Sequence, residues 1–161
     1  SLQKDPAGGR RSPLDPLVAK HLSPLPRIRE GTLLANNHFA SSLIDISDGL
    51  LIDLNRILRA SKKGAIVRLE ALPLSKEFKG LESSQSVDKI NYALTGGEDY
   101  ELLFTCSPEK EDALLQSAQE ERFVITKIGT ITDSEELLLL DHNDQPYPLD
   151  SLGYDHFRAI K

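Results

Sequence analysis

Asp45-Ile46-Ser47-Asp48-Gly49 places two carboxylates three residues apart, with a hydroxyl between them and a glycine directly after. Hard oxygen donors at this spacing suit a divalent cation, because Mg²⁺ takes a few carboxylates and keeps its other positions for phosphate oxygens and water. Ser47 is placed to donate to a phosphate oxygen. A helix starting just beyond would add unpaired N–H groups and the positive end of its dipole. A purely structural reading competes: Ser47 or Asp48 as the N-cap of a helix beginning near Gly49, worth about 1 kcal/mol. Capping leaves Asp45 unexplained. It sits between Ile44 and Ile46 with no Lys or Arg close by in sequence, and a carboxylate buried there needs a positive partner such as a metal ion.

Two further clusters could bear chemistry. Gly96-Gly97-Glu98-Asp99-Tyr100-Glu101 crowds three acids at the entrance to a strand. Strand alternation would put Glu98 and Tyr100 on one face and Asp99 and Glu101 on the other, so only one set could meet a ligand; a solvated turn is the bland alternative. Near the end, Gly153-Tyr154-Asp155-His156-Phe157 offers aromatics able to stack on a flat heterocycle. One histidine among aromatics reads as structural or exposed rather than as a ligand. Cys106, the only cysteine, follows Leu102-Leu103-Phe104-Thr105 and reads as a small buried hydrophobe.

The elements that must position these residues follow from periodicity. Ser42 to Ile46 reads as a buried strand. Leu50, Leu51, Leu54, Ile57 and Leu58 make the apolar stripe of a helix whose polar face carries Asp53, Asn55, Arg56 and Arg59. A strand over Ala65 to Leu69 completes a β-α-β unit, which predicts a parallel pair covered by the helix. Residues 71–86 read as a loop with one helical turn, and Val87 to Leu94 as a helix stopping at Gly96-Gly97. Tyr100 to Cys106 is a strand, and a helix capped by Ser107 with Pro108 in its first turn runs to about Glu120. Strands over Phe123 to Thr130 and Glu136 to Leu140 are expected to close as a hairpin. Earlier, a helix is expected at about Asp15 to Leu22, and Gly31 to Phe39 is left open, with a short helix ending at Asn36-Asn37 as one reading. The expected fold class is α/β (α+β), a mixed β-sheet flanked by helices. Residues 1–21, rich in Pro and Gly, form a loosely ordered lead to a domain over 22–161.

Totals narrow the function classes. The 161 residues suffice for one ordinary domain. A formal charge of −6, from 25 acids and 19 bases, disfavours a nucleic-acid surface. No apolar run is long enough for a membrane span, and the lack of a disulfide partner fits a reducing, cytoplasmic setting. The absence of Met, even at position 1, and of a signal-peptide pattern suggests a piece of a longer protein.

The order and spacing of Asp45-Ile46-Ser47-Asp48-Gly49-Leu50, Leu72-Pro73-Leu74-Ser75, Gly96-Gly97-Glu98-Asp99-Tyr100-Glu101, Ile128-Gly129 and Gly153-Tyr154-Asp155-His156-Phe157 resemble the C-terminal half of the thiamine-monophosphate kinase family. The resemblance covers roughly Leu22 to Phe157. It implies the fold of the C-terminal domain shared with AIR synthase and selenophosphate synthetase, and ATP-dependent phosphorylation of thiamine monophosphate to thiamine diphosphate. By motif position, Asp45 and Asp48 would bind Mg²⁺ and Ser47 the nucleotide phosphates. Glu98 would contact the thiamine substrate, and Tyr154 would pack on it. No residue here is expected to act as a catalytic base, because the attacking phosphate oxygen is already ionised. The resemblance also implies a missing N-terminal domain, a homodimeric parent and an inactive isolated fragment. Two alternatives stand beside it: another ATP-dependent enzyme of the AIR-synthase superfamily, or a non-catalytic metal- or nucleotide-binding partner domain. If a covering domain is missing, an apolar patch near Asp45 and some self-association are expected.

Overall fold

The structure is a computed structural model in which residues 15–80 and 89–148 are described. The elements run α1 (Asp15–Leu22), α2 (Ile28–Asn36), β1 (Ala40–Asp45), α3 (Leu50–Ser61), β2 (Gly64–Arg68), α4 (Lys76–Lys79), α5 (Lys89–Thr95), β3 (Leu102–Cys106), α6 (Glu111–Glu120), β4 (Gly129–Thr132) and β5 (Leu137–Leu140), with short 3₁₀ turns at Leu69–Ala71 and Pro108–Lys110. This is the mixed α/β class expected. Its second sheet is mixed, with β2 antiparallel to β4 and parallel to β5.

Helix α3 organises the core. Its stripe of Leu50, Leu51, Leu54, Ile57 and Leu58 packs in one cluster with Ala65 and Val67 of β2, Leu139 of β5, Leu103 of β3 and Leu94 of α5. One helical face therefore seals both sheets. A smaller cluster of Leu34, Phe39 and Leu114 lies on the opposite side of the β1–β3 ribbon, against Leu102, Phe104 and Cys106. Alternation along β3 sends Leu103 to one cluster and its neighbours to the other, so the ribbon is packed on both faces. Cys106 is half-buried as this packing requires, and burial pushes its thiol pKa up, which keeps it protonated and unreactive.

The connectivity departs from the β-α-β expectation. β1 does not lie beside β2; it pairs antiparallel with β3, with Ile44 opposite Leu103 and Asp45 opposite Leu102. The local pattern dictates only that α3 must cover a sheet. Which strands pair is decided by contacts distant in the chain, and Ile44 and Leu103 together complete the face beneath α3. The terminal hairpin is also absent, because β2 lies between β4 and β5. The connection from β4 folds over the start of β2, where the Ala65 N–H donates to the Glu136 carbonyl at 2.9 Å. The strand expected from Phe123 begins only at Gly129. Ile125 and Ile128 pack on the two clusters, the Ile128 carbonyl accepting one backbone bond from the Arg68 N–H at 2.9 Å, while Val124 is 94% exposed.

The helix expected after Ser107 opens as a 3₁₀ turn with Pro108 in its first positions, and regular α-helix follows from Glu111. Within 71–86, where a loop with one helical turn is expected, lies α4, capped by Ser75, whose Oγ accepts from the Phe78 N–H at 3.1 Å.

Leu51 is fully buried at the centre of this arrangement. Leu51→Ala is expected to cost about 2–5 kcal/mol through lost transfer energy and an unfilled cavity, read as a lower urea midpoint at unchanged slope.

Candidate functional site

The site is built where β1 turns into α3. Past Asp45 the ribbon continues as a backbone ladder: the Ile46 N–H donates to the Glu101 carbonyl at 2.8 Å, Tyr100 N–H to Ile46 at 2.9 Å, and Glu98 N–H to Ser47 at 2.9 Å. Ile46–Gly49 and Gly96–Glu101 therefore run side by side, and the two acidic clusters separated in sequence form one rim. Glycines permit this closeness. A Cβ on Gly97 would lie 2.5 Å from the Ser47 carbonyl oxygen, and one on Gly49 would lie 2.8 Å from that of Thr95. Gly49 also takes φ of +115°, a conformation L side chains rarely adopt.

Gly49 is the N-cap of α3, with no side-chain capping bond. This corrects the expectation that Ser47 or Asp48 caps the helix. Both residues are partly buried, and their backbone N–H groups donate instead to Asp53 Oδ2, at 2.9 Å from Ser47 and 3.1 Å from Asp48. Asp53 itself was assigned to the solvent face by periodicity; it is fully buried. Its second oxygen takes Arg56 Nη1, and Arg56 Nη2 bonds Asp48 Oδ2, so one guanidinium bridges the two acids. These partners satisfy the carboxylate, which explains how a charge survives in the core.

Asp45 is exposed, against the expectation of a buried carboxylate demanding a counter-charge. Strand alternation turns Ile44 and Ile46 to the core and Asp45 away from it. Solvent meets its charge, and it remains free to meet a ligand from the open side. Exposed Leu43 lies on the same face of β1, so some apolar surface does border the junction.

The expected two-face alternation of Glu98 to Glu101 is broken, because β3 starts only at Leu102 and both Glu98 and Tyr100 take positive φ, 66° and 51°. Glu98 is exposed, with His21 Nε2 of α1 at 3.4 Å from its Oε2. Glu101 is the anchor of this segment. Arg27 grips it with two bonds of 2.8 Å, from Nε and Nη2, and Lys20 Nζ adds a third of 2.9 Å. Burial pushes the Glu101 carboxyl up, and the bonds from Arg27 and Lys20 outweigh it and hold the pKa below its ordinary 4.5. Tyr154 and His156 lie outside the described residues.

Asp45, Ser47, Asp48 and Glu98 thus lie on neighbouring backbone segments. The exposed carboxylates are hard oxygen donors of the kind Mg²⁺ prefers. Among the described residues no group of three or more His, Cys, Asp or Glu could by itself hold a metal ion. Two carboxylates of this kind make no closed protein cage; a Mg²⁺ there would need phosphate oxygens and water in its other positions. The sequence missed Asp53 and Arg56. The available signals were an acid in the first helical turn and an arginine three residues on, at ion-pair spacing.

A family model described as AIR synthase related protein, C-terminal domain, matches residues 5–140. The chain is 42% identical over 142 residues to thiamine-monophosphate kinase of Buchnera aphidicola subsp. Schizaphis graminum, across 88% of this chain and 42% of that protein. The crystal structure of thiamine-monophosphate kinase from Stenotrophomonas maltophilia K279a superposes with a TM-score of 0.71 at 35% identity, over 79% of this chain and 39% of that one. The structure of AaThiL complexed with AMPPCP and TMP also superposes at 0.71, with 28% identity over 94% of this chain and 44% of that one. The chain thus spans about two fifths of the length of the curated relatives it matches.

Two measurements check this geometry. Gly97→Ala must push the Ser47 carbonyl away, so it is expected to lose about 1–3 kcal/mol by overpacking, read by thermal melting. Glu101→Gln removes a group with a depressed folded pKa. Its contribution is present above about pH 4.5 and is lost as pH falls through the lower folded value. The stability gap between wild type and variant, about 1 kcal/mol for a partly exposed pair, is expected to be constant near neutrality and to close in acid.

Proposed function

The chain belongs to the family of AIR synthase related proteins, matching their C-terminal domain, and from that premise we propose that it is the C-terminal part of an ATP-dependent, Mg²⁺-requiring kinase that phosphorylates thiamine monophosphate to thiamine diphosphate. The observation that carries the reading is the ladder joining Ile46–Ser47 to Glu98–Glu101, which sets candidate metal and phosphate ligands beside a candidate substrate contact. The relatives named thiamine-monophosphate kinase support it, as does the neighbour bound to AMPPCP and TMP.

In this reading Asp45 and Asp48 hold Mg²⁺, and Ser47 donates its hydroxyl to a nucleotide phosphate oxygen. Glu98, on the exposed side of the same rim, contacts the thiamine moiety, and Tyr154 packs against it. Bound Mg²⁺ would neutralise charge on the phosphates. The residues themselves position and orient. The substrate's terminal phosphate oxygen is already ionised at neutral pH, so no side chain need remove a proton and none is assigned as a base. The rest of the site is supplied by the parts of the longer relatives this chain does not span, in a cytoplasmic and homodimeric protein. This chain alone is therefore proposed to be inactive.

The test is a kinase assay on the full-length protein with thiamine monophosphate, ATP and Mg²⁺, comparing wild type with Asp45→Asn and Asp48→Asn. Each is expected to lower kcat/KM at least about a hundredfold, roughly 2.7 kcal/mol of transition-state stabilisation, with melting temperature preserved. Full activity in both variants would return the two carboxylates to a structural role.

A further inference from the structure

Asp53 is the one charged side chain found fully buried among the described residues. A carboxylate in that position costs free energy unless charge and hydrogen bonds answer it. The answers are unusual in where they come from. An acid in the first turn of a helix ordinarily serves the N–H groups of that helix. Asp53 instead reaches back past Gly49 and accepts from Ser47 and Asp48 in the preceding loop. The turn at Gly49 makes this possible, since its positive φ folds the loop over the first turn of α3.

Arg56 completes the arrangement from the outside. Its side chain is 46% exposed, yet it spans Asp53 and Asp48 with two different nitrogens. Two acceptors on separate residues match the fixed fork of a guanidinium, which a lysine ammonium cannot reproduce. A carboxylate buried in the core thus has its hydrogen-bond partners in, or aimed at, two residues of an open rim. Core packing gains nothing from that choice; the rim gains a fixed backbone and a fixed Asp48 side chain.

We propose that Asp53 is the positioning residue of the metal-phosphate site, fixing the Ser47–Asp48 backbone directly and the direction of the Asp48 carboxylate through Arg56. Asp53 does not touch the ligand. This inference rests on the reading that Ser47 and Asp48 meet the Mg²⁺-nucleotide. Outer partners that orient metal ligands commonly affect metal affinity by about 10–100-fold, and Asp53 is expected to fall in that range.

The experiment uses the full-length protein with AMPPCP and reads Mn²⁺ binding by electron paramagnetic resonance, which needs no turnover, alongside hydrogen exchange at the Ser47 and Asp48 amides. Asp53→Asn is expected to raise exchange at those two amides while leaving core amides such as Leu54 and Val67 protected, and to weaken Mn²⁺ about 10–100-fold. Arg56→Lys, which keeps the charge and loses the fork, is expected to weaken Mn²⁺ several-fold. A folded Asp53→Asn with Mn²⁺ affinity within about twofold of wild type overturns the proposal, even if the amides exchange faster. Should Asp53→Asn fail to fold, Arg56→Met decides by the same affinity criterion, because its site is solvent-accessible. Ser47→Ala and Asp48→Asn separate the two ideas. If they too leave Mn²⁺ affinity unchanged, the metal-phosphate reading falls, and the positioning inference falls with it. If they weaken it and Asp53→Asn does not, only the positioning inference falls.

Discussion

A buried carboxylate that answers to a loop is the constraint on which the junction depends. Asp53 sits in the first turn of the helix that carries the main apolar stripe, so its position is inherited from the core. The two loop amides and Arg56 then take their positions from Asp53. Order thus passes outward from packed leucines to a carboxylate and from there to the rim. Withdrawing Arg56 would leave the buried Asp53 charge with only the two loop amides, whereas Arg56, half-exposed, can turn to water if Asp53 is lost.

The second segment of the rim is held by different means. Gly96–Glu101 has no regular secondary structure, and two of its side-chain-bearing residues, Glu98 and Tyr100, take positive φ. It is kept in place by three backbone bonds, two with Ile46 and one with Ser47, by glycine-permitted contact with Ser47, and by the grip of Arg27 and Lys20 on Glu101. Strain of this kind persists where surrounding structure over-determines it, and it clusters at functional sites. Of the side chains that the reading needs, those of Asp45 and Glu98 stay exposed while their backbones are fixed, and those of Ser47 and Asp48 are partly buried.

Much of this was legible in the sequence because it is local. The stripe from Leu50 to Leu58, a strand over Ser42 to Ile46 and the helix after Ser107 all come from periodicity and helix-start signals within a few residues. Strand pairing was not legible. The β1–β3 match is decided by Ile44 and Leu103 together filling the space under α3, and β2 separates β4 from β5 because the intervening chain crosses its start. The site was half legible. Asp45, Ser47, Asp48 and Glu98 announced themselves by type and order, and the ladder brings them onto one rim. Asp53 did not, because helical periodicity alone places polar residues in solvent and cannot see a partner arriving from the preceding loop. Asp45 was misjudged for the converse reason: flanking isoleucines in a strand bury themselves, not the residue between them.

The shared use of α3 by both sheets bears on how the molecule comes apart. With one helical face closing over β2, β3 and β5 at once, the departure of either sheet exposes part of the same apolar stripe. Loss of native structure on that side is then an all-or-none event. The small cluster around Leu34, Phe39 and Leu114 has no such tie. Opening there is expected to cost less, and it reaches the rim through Arg27 at the head of α2, which grips Glu101.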